Sequence, residues 1–267
     1  MEKYEKKRAC ILVKAYPQHS QKYQETVCVA AVTEDHQLLR IYPIRFRHLT
    51  GERRFNRFDM IEAEMTRATE DPRPESYRIK EDTLRVVLRS ENTSPADKVR
   101  LWKPCIVESL GKLEQEQQDA KRSLGIIKPD EGTLEFTYEA IDRATDEARE
   151  TANSVYVQQS LLEPELKKLP APEFIFRYRF DCGGRPHHMQ LHDWETETTF
   201  HRYKHRYSTK EVALEKMVEY YQERVPNMNP HLIMGNMHKR PYQFIVIGVL
   251  RTTADVDRAD AQGDLLF

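Results

Sequence analysis

The chain has 267 residues, of which 32% are charged and 39% hydrophobic, and its formal net charge is -1. This length is sufficient for one large domain or two small ones. The near-neutral charge excludes a uniformly basic coat for nucleic acid, so any such site must be a local patch. No apolar run approaches the roughly 20 residues needed to cross a bilayer, and the start MEKYEKKRA lacks the core of a signal peptide. Four scattered cysteines without a CxxC pair are typical of reduced thiols. We therefore expect a cytoplasmic protein.

Short β-type runs dominate the beginning of the chain. They are residues 10–15 (CILVKA), 26–33 (TVCVAAVT), 38–43 (LLRIYP) and 59–65, and polar turns separate them. Four or five short strands within about eighty residues are typical of a small barrel of the OB or SH3 kind. We therefore predict an N-terminal OB-like β unit over residues 1–92.

A group of arginines is interleaved with aromatic residues around and after the third run. Arginine binds phosphate oxygens in a bidentate manner, and an exposed aromatic ring stacks on any base, so this mixture indicates a nucleic-acid site. The alternative is that the rings belong to the core and the arginines to a solvated rim. The predicted nucleic-acid contacts of this group are Arg40, Tyr42, Arg45, Phe46, Arg47, Arg53, Arg54 and Arg57, with Phe55 and Phe58 between them.

A helical connection and a second β unit follow. Ser94 as a cap and Pro95 at the first helical position predict a helix, and residues 93–123 are interpreted as a helical connection. The second β unit is predicted over residues 124–251, beginning with strand-like segments at 124–129 and 133–138. Its further predicted parts are a helical insertion at 139–170 and a packed helix at 209–225, and a flexible acidic tail at 252–267 follows it.

The most informative stretch of the second unit is a predicted hairpin. Four aromatic residues at 174, 176, 178 and 180 have the period of a half-buried strand. Glycine and proline at 183–186 turn the chain, and residues 189–194 return as the second arm. The apolar run 244–250 suits a central strand covered on both faces. Basic residues of this region extend the predicted nucleic-acid track: Arg177, Arg179, His201, Arg202, Lys204 and His205.

A metal site is one alternative for this histidine-rich region. Cys182, His187, His188 and His192 are close in sequence, and one thiolate with imidazoles would suit zinc. The spacing lacks a CxxC or HxxxH unit, however, and consecutive residues of a strand point to opposite faces. We therefore favour a protein without a bound metal or other cofactor.

A metal-dependent nuclease is the second alternative. Asp193 and Glu195 flank Trp194 and would share one face of a strand, where two carboxylates could hold a divalent cation such as magnesium. The competing interpretation is a salt bridge to Arg177 or Arg179, or a helix cap for the residues from 196 onward. No P-loop, Rossmann glycine pattern or GxSxG is present, so we favour a protein that is not an enzyme.

Two groups of motifs carry a resemblance to known proteins, over about half of the chain. The segments YRFDC, HHMQLHDWE and MGNMHKRPYQFIVIGVLR resemble the end of a poorly characterised prokaryotic family found near phage-defence and mobile-element genes. The segments ILVKAYP and VCVAAVTEDHQLLRIYPI are similar to proteins described as carrying a dual OB-containing domain. The resemblance implies two OB-like units and association with nucleic acid, and it supplies no catalytic residue. Members of this family carry further cysteines near the position of Cys182, where this chain has Gly183 and Gly184.

The last six residues form a separate motif. The pattern of Gln262, Leu265, Leu266 and Phe267 resembles the short peptide with which bacterial replication and repair proteins dock on the sliding clamp. Such a peptide becomes ordered on binding, which suits a flexible tail. The alternative is that the apolar end of the tail folds back on its own domain or on a partner subunit.

These observations predict an α+β, β-rich fold of two small OB/SH3-like barrel units with packed helices. The favoured function is a non-catalytic accessory or sensor protein of a prokaryotic defence or DNA-processing system. Its partners would be nucleic acid, DNA rather than RNA, and a sliding clamp or an effector enzyme of the same system. The alternatives are the nuclease described above and an adaptor that docks through its projecting helix and its C-terminal tail.

Overall fold

A computed structural model describes residues 3–15, 18–20, 24–141 and 172–252. Most of the predicted insertion at 139–170 and nearly all of the predicted tail, including the clamp-like peptide, lie outside the described residues. None of the described helices is long and apolar enough to span a membrane.

The first unit is a closed five-stranded barrel with two additional strands. Its strand order is β1-β3-β4-β6-β5, and β1 pairs again with β5 to close the barrel. Among the described strands of this unit, β4 and β6 pair in parallel and the other pairs are antiparallel. The strand bounds are β1 (Glu5–Lys14), β2 (Gln18–Ser20), β3 (Gln24–Val32), β4 (Leu38–Ile44), β5 (Met60–Arg67), β6 (Ser76–Ile79) and β7 (Arg85–Leu88). Short 3-10 helices lie at Phe46–His48, Gly51–Arg53, Glu81–Thr83 and Ser90–Asn92.

Two helices lead from the first unit to the second. Ser94 and Ser109 cap them, and each serine hydroxyl accepts a hydrogen bond from the backbone N–H three residues later. The predicted start at Ser94 and Pro95 is therefore confirmed. The helices are α1 (Pro95–Trp102) and α2 (Leu110–Ala120), with a 3-10 turn at Lys103–Cys105 between them.

In the part that the structure describes, the second unit contains two three-stranded sheets and two helices. The sheets have the orders β9-β10-β11 and β8-β12-β13, and a parallel bridge between Leu191 and Val246 joins them. The strands are β8 (Leu124–Ile127), β9 (Glu135–Ala140), β10 (Phe174–Cys182), β11 (Arg185–Gln190), β12 (His231–Met237) and β13 (Arg240–Leu250). The helices are α3 (Trp194–Arg206) and α4 (Lys210–Val218), and α4 continues into one π-helical turn, Glu219–Arg224, and a 3-10 turn, Pro226–Met228.

Both units pair their strands in the same order. If β8 and β9 are counted as one interrupted first strand, the first strand of each unit pairs with the second and the fourth. The second strand pairs with the third. The fifth strand lies between the third and the fourth, and it is parallel to the third and antiparallel to the fourth. In the second unit the third and fourth strands are connected by α3 and α4. This order is that of an OB fold, so the predicted β-rich fold with OB-like units is confirmed.

The predicted hairpin is present, but its second arm ends earlier than expected. Gly183 and Gly184 form the turn at φ values of +61° and +71°, and their N–H groups donate to the carboxylate of Asp130. β11 ends at Gln190, whereas the return strand was predicted to continue to residue 194. The local reason is α3, which Asp193 caps and which has acidic residues in its first turn and basic residues in its last.

The two units pack directly on each other through the outer faces of their strands. Residues of β1, β3 and β4 form one apolar cluster with residues of α1, β8, β12 and β13. Gly248 allows close approach, because a Cβ atom at this position would lie 2.8 Å from Cγ2 of Val13. The second unit therefore covers much of the outer face of β3 and β4, the face with which many OB folds bind ligands, while Tyr42 on that face stays 45% exposed.

Candidate functional site

A cleft lies at the junction of the two units. Its volume is about 530 Å³. It lies where the end of β1 meets the start of α3, and an antiparallel bridge between Ala15 and Asp193 joins the units at this point. The residues that line it are Lys14, Asp193, Trp194, Glu195, Thr198, Thr199, Arg202, Tyr203, Tyr220, Tyr221, Val225, Val249 and Arg251.

Cationic and aromatic side chains alternate around the rim of the cleft. Lys14 Nζ lies 4.3 Å from the ring centre of Phe46 and 5.9 Å from that of Trp194. The guanidinium of Arg202 lies 6.0 Å from the ring of Tyr203, and that of Arg251 lies over Tyr220 and donates to its hydroxyl. Burial lowers the pKa of Lys14. Three cations from β1, α3 and the end of β13 therefore converge on one opening.

The floor of the cleft is buried and contains a carboxyl group. Asp193 is 4% exposed, and its Oδ1 accepts a hydrogen bond of 2.6 Å from the N–H of Thr196. Burial and the neighbouring carboxylate of Glu195 raise the pKa of Asp193 to about 6. The side chains of Tyr221, Val225 and Val249 close the floor, since all three residues are buried.

An ion pair between the units fixes Glu195 at the edge of the cleft. Arg57 donates to Glu195 Oε2 and to the carbonyl oxygen of Val249, each at 2.5 Å. The Arg57 side chain is 14% exposed. Arg57, predicted as a nucleic-acid contact, therefore holds the two units together instead of presenting its guanidinium to solvent.

The predicted arginine and aromatic cluster of the first unit does not form one accessible groove. Phe46 and Phe55 are 7% and 0% exposed, so their rings belong to the barrel core and are not available for stacking. Arg40 is also buried, and its Nη2 donates to the carbonyl oxygen of Ser123 at 3.1 Å. The alternative of a core position is correct for these rings, because both pack in the apolar cluster inside the barrel.

The remaining members of this cluster lie closer to the surface. The backbone N–H and Nε of Arg45 donate to the Glu81 carboxylate. Tyr42 is partly exposed, and its hydroxyl accepts a hydrogen bond from Thr26. Arg47 and Phe58 are half-buried, and Arg53 and Arg54 are exposed. The charge of Arg54 adds to burial in lowering the pKa of Lys14, which lines the cleft.

The basic residues predicted in the second unit fall into two places. Arg177 and Arg179 lie on the outer face of β10, outside the cleft, and face Glu139 and Glu135 at 3.4 and 3.8 Å. The other four lie on α3. Of these, Arg202 lines the cleft, Lys204 donates to Glu173, His205 is exposed, and burial lowers the pKa of the half-buried His201.

The predicted zinc ligands are not brought together. Cys182 is buried with its thiol directed to the carbonyl of Lys128, and the ring of His187 packs on Phe180. His188 lies on the opposite face of β11, where its Nε2 is 3.4 Å from Thr137 Oγ1. The backbone N–H of His192 donates to Val246. Within the described ranges, no group of three or more histidine, cysteine, aspartate or glutamate residues could hold a metal ion.

The two carboxylates of the predicted nuclease site have other roles in the structure. Asp193 caps α3, as the competing interpretation proposed, and Glu195 is paired with Arg57. The predicted salt-bridge partners of this pair, Arg177 and Arg179, contact other glutamates. The two carboxylates therefore do not form a shared metal-binding face.

Sequence inspection missed three residues of the rim. Lys14 is the last residue of β1, Arg251 is the first residue after β13, and Tyr220 lies in the π-helical turn. Each carries only a weak local signal, a charged or aromatic residue at the end of an element. Their proximity depends on how the two units pack.

Two family models match the chain in consecutive parts. One, described as Domain of unknown function (DUF8758), matches residues 5–104. The other, described as Domain of unknown function (DUF8757), matches residues 106–264, which is more than half of the chain. The chain belongs to the DUF8757 family. The boundary between the two matches falls within the predicted helical connection at 93–123, between α1 and α2 of this DUF8757 protein. No curated protein matches the chain.

Proposed function

We propose that this DUF8757 protein is a non-catalytic nucleic-acid-binding protein whose contact surface is the cleft and the adjoining basic half of α3. The observation that carries the proposal is the convergence of Lys14, Arg202 and Arg251, from three separate elements, beside exposed edges of aromatic residues. Cations neutralise backbone phosphates, and aromatic faces stack on bases without regard to sequence.

The C-terminal half of α3 supports this proposal. Its sequence from residue 201 to residue 207 is HRYKHRY. Arg202, His205 and Arg206 are exposed, and the guanidinium of Arg206 lies 5.9 Å from the ring of Tyr207. This local concentration of positive charge occurs in a chain whose formal net charge is only -1. It therefore has the form of a patch, as binding to a polyanion by a near-neutral protein requires.

The way the units pack explains why the surface would lie at their junction. The second unit covers much of the outer face of β3 and β4, so the strand face used by many OB folds is only partly open in the first unit. The corresponding outer face of the second unit carries two arginines that face two glutamates. The cleft, by contrast, contains three cations and two acidic residues. Of the acidic residues, Glu195 is already paired with Arg57, and Asp193 has a raised pKa.

The biological setting of the proposal rests on the resemblance described above. It is an accessory or sensor role in a prokaryotic defence or DNA-processing system, with DNA as the nucleic acid. A sensor needs to bind nucleic acid and needs no catalytic group of its own, which is compatible with carboxylates occupied in capping and pairing.

The test is a binding measurement by fluorescence anisotropy. The purified chain is titrated into labelled single- and double-stranded DNA and RNA at several salt concentrations, with and without Mg²⁺ or Mn²⁺. We expect binding without cleavage, and we expect the double substitution Arg202→Ala with Arg251→Ala to weaken it. Each lost phosphate contact should reduce the slope of log K against log salt by about 1.

A matched control is available on the far side of the first barrel. Arg8 and Arg85 are exposed strand arginines outside the cleft, and their double substitution by alanine removes the same formal charge. Equal losses in both double variants would mean that only net charge matters, and the cleft would then be the wrong surface. Cleavage of the labelled strand that disappears in Asp193→Asn would instead support the nuclease alternative.

A further inference from the structure

We infer that the cleft receives one unpaired nucleotide unit, with its phosphate at the cationic rim and its base or sugar against the carboxyl floor. This inference deepens the proposed function and rests on it for the setting of a bound strand. It follows from the depth, the chemical polarity and the size of the cleft.

The charge of the residues that line the cleft changes from positive at the rim to acidic at the floor. Arg202 and Arg251 are exposed, whereas Asp193, Tyr221 and Val225 are 4%, 7% and 1% exposed. Cations therefore lie where a ligand enters, and the carboxyl group lies where it ends. An inorganic anion would be attracted by the rim but repelled by an ionised Asp193. A ligand that fills the cleft must combine an anionic end with a hydrogen-bond donor at the other.

The floor offers further hydrogen-bonding groups. Thr199 lines it, and Tyr221 donates from its hydroxyl to Thr196 Oγ1 at 3.3 Å. The hydroxyl of the fully buried Tyr178 has no hydrogen-bond partner in the described part of the chain, and burial, followed by the charges of Tyr221 and Asp193, raises the pKa of Tyr178. Nucleobases and sugars carry amino, imino and hydroxyl donors that a carboxylate accepts.

Aromatic residues supply the third part of the recognition. Trp194, Tyr203 and Tyr220 line the cleft and are only half-buried, so ring edges or faces remain accessible to a planar ligand. A volume of about 530 Å³ lies within the usual range for a small-molecule site, about 300–1,000 Å³. Such a space suits one nucleotide, so a strand would enter with an end or with a base that has left its stack.

The chain provides its own reporter for this inference. It contains two tryptophans. Trp102 is 2% exposed and packs on His231 away from the cleft, whereas Trp194 lines the cleft. In a Trp102→Phe variant, all tryptophan fluorescence comes from Trp194. We expect 5′-mononucleotides to quench it saturably, and the matching nucleosides and inorganic phosphate to bind about fivefold more weakly or worse.

A second measurement uses the unaltered chain, because Trp102→Phe affects a buried position. Mononucleotides, nucleosides and phosphate are tested as competitors of a labelled single strand. Comparing oligonucleotides with and without a 5′-phosphate tests whether the cleft receives the end of a strand. Comparing duplexes with and without one mismatched base tests whether it receives an unstacked base. If neither comparison shows a difference and mononucleotides still compete, the bound unit is a free nucleotide.

Asp193→Asn tests the role of the floor. Asparagine caps a helix as well as aspartate does, so α3 keeps its first turn while the floor loses its charge. We expect this variant to bind inorganic phosphate more tightly than the unaltered chain does, and to discriminate less between phosphate and mononucleotide.

The outcomes separate this inference from the proposed function. If the strand binds but mononucleotides neither quench Trp194 nor compete, the single-nucleotide pocket is wrong and nucleic-acid binding stands. If mononucleotides bind and no strand does, the pocket stands and the proposed function fails. If phosphate alone competes as well as a mononucleotide, the cleft is a plain anion site and the inference is overturned.

Discussion

At the scale of single residues, a glutamate of α3 has a buried carboxylate oxygen that is not hydrogen-bonded to any described residue. Glu197 Oε2 is buried and has no hydrogen-bond partner. Burial, followed by the charges of Asp193 and Glu173, raises the pKa of Glu197 to about 8. The carboxyl group is therefore protonated in the folded protein over a pH range in which an exposed glutamate is ionised.

This raised pKa makes stability depend on pH in a defined direction. The folded state binds the proton of Glu197 more tightly than the unfolded chain does, so the free energy of unfolding falls as pH rises from about 4.5 to about 8. Glu197→Gln has no proton to lose, so we expect it to be more stable than the unaltered chain at pH 8.5, by about 1–3 kcal/mol. Near pH 4.5 this gain should disappear. Urea unfolding across this pH range measures the difference.

The matched control for this substitution is Glu215→Gln, which alters an exposed glutamate on the neighbouring helix α4. The control should follow the pH dependence of the unaltered chain. A Glu197→Gln curve parallel to that of the control would mean that Glu197 is ionised in the folded protein at neutral pH.

At the scale of secondary-structure elements, the molecule depends on close contact between β1 and β13. A Cβ atom built on Gly248 would lie 2.8 Å from Cγ2 and 3.1 Å from Cβ of Val13. Valine is stiff at χ1 because it branches at Cβ, so its side chain cannot rotate away easily. The absence of a side chain at residue 248 therefore allows the two units to pack at this distance.

We expect Gly248→Ala to destabilise the protein by about 1–3 kcal/mol through overpacking. Val13→Ala in the same chain should recover part of this loss, which a double-mutant cycle by thermal unfolding would measure. Gly111→Ala is the control, because the nearest atom to its new Cβ would be 3.7 Å away. Since Gly111 lies in α2, alanine there should be neutral or stabilising by about 0.5–1 kcal/mol. A Gly248→Ala variant as stable as the Gly111→Ala variant would mean that the units do not approach so closely.

At the scale of the whole molecule, a buried polar network complements the apolar contact between the units. Arg40 of the first unit donates to the carbonyl oxygen and the hydroxyl of Ser123. Glu75, also of the first unit, accepts from the N–H and the hydroxyl of the same serine at 3.0 and 2.9 Å. Two charged side chains of one barrel thus bond to the segment that begins β8, although Nε of Arg40 has no hydrogen-bond partner among the described residues. We infer that the two units fold as one cooperative body.

Arg40→Ala tests this cooperativity. The substitution leaves the buried carbonyl oxygen and the hydroxyl of Ser123 with one donor fewer each, so we expect a loss of about 1–3 kcal/mol. We also expect a single unfolding transition in the unaltered chain, with fluorescence and circular dichroism coinciding. Arg85→Ala, at an exposed position of β7, should change stability by less than about 0.5 kcal/mol. Two separate transitions in the unaltered chain would show that the barrels unfold independently.

Local patterns in the sequence predicted most of the elements correctly. The alternation of aromatic residues at 174–180 gave β10, Ser94 gave the start of α1, and the helix predicted at 209–225 begins at Lys210. These signals depend on side-chain period and on capping, which act over a few residues. α3 was missed as an element because its polar and aromatic residues give a weak apolar stripe, although the capping role of Asp193 was considered.

The sequence by itself determined the β-rich composition, the strand periods, the caps and the presence of basic and aromatic clusters. Only the tertiary structure decided which of those clusters reach solvent. Phe46 and Phe55 lie in the core, and Arg40 lies in the contact between the units. In contrast, Lys14 and Arg202, which are 188 positions apart in the chain, line one cleft. The physical reason is that period and capping are properties of neighbouring residues. The face that a strand presents, and the element it meets, depend on contacts between residues far apart in the chain.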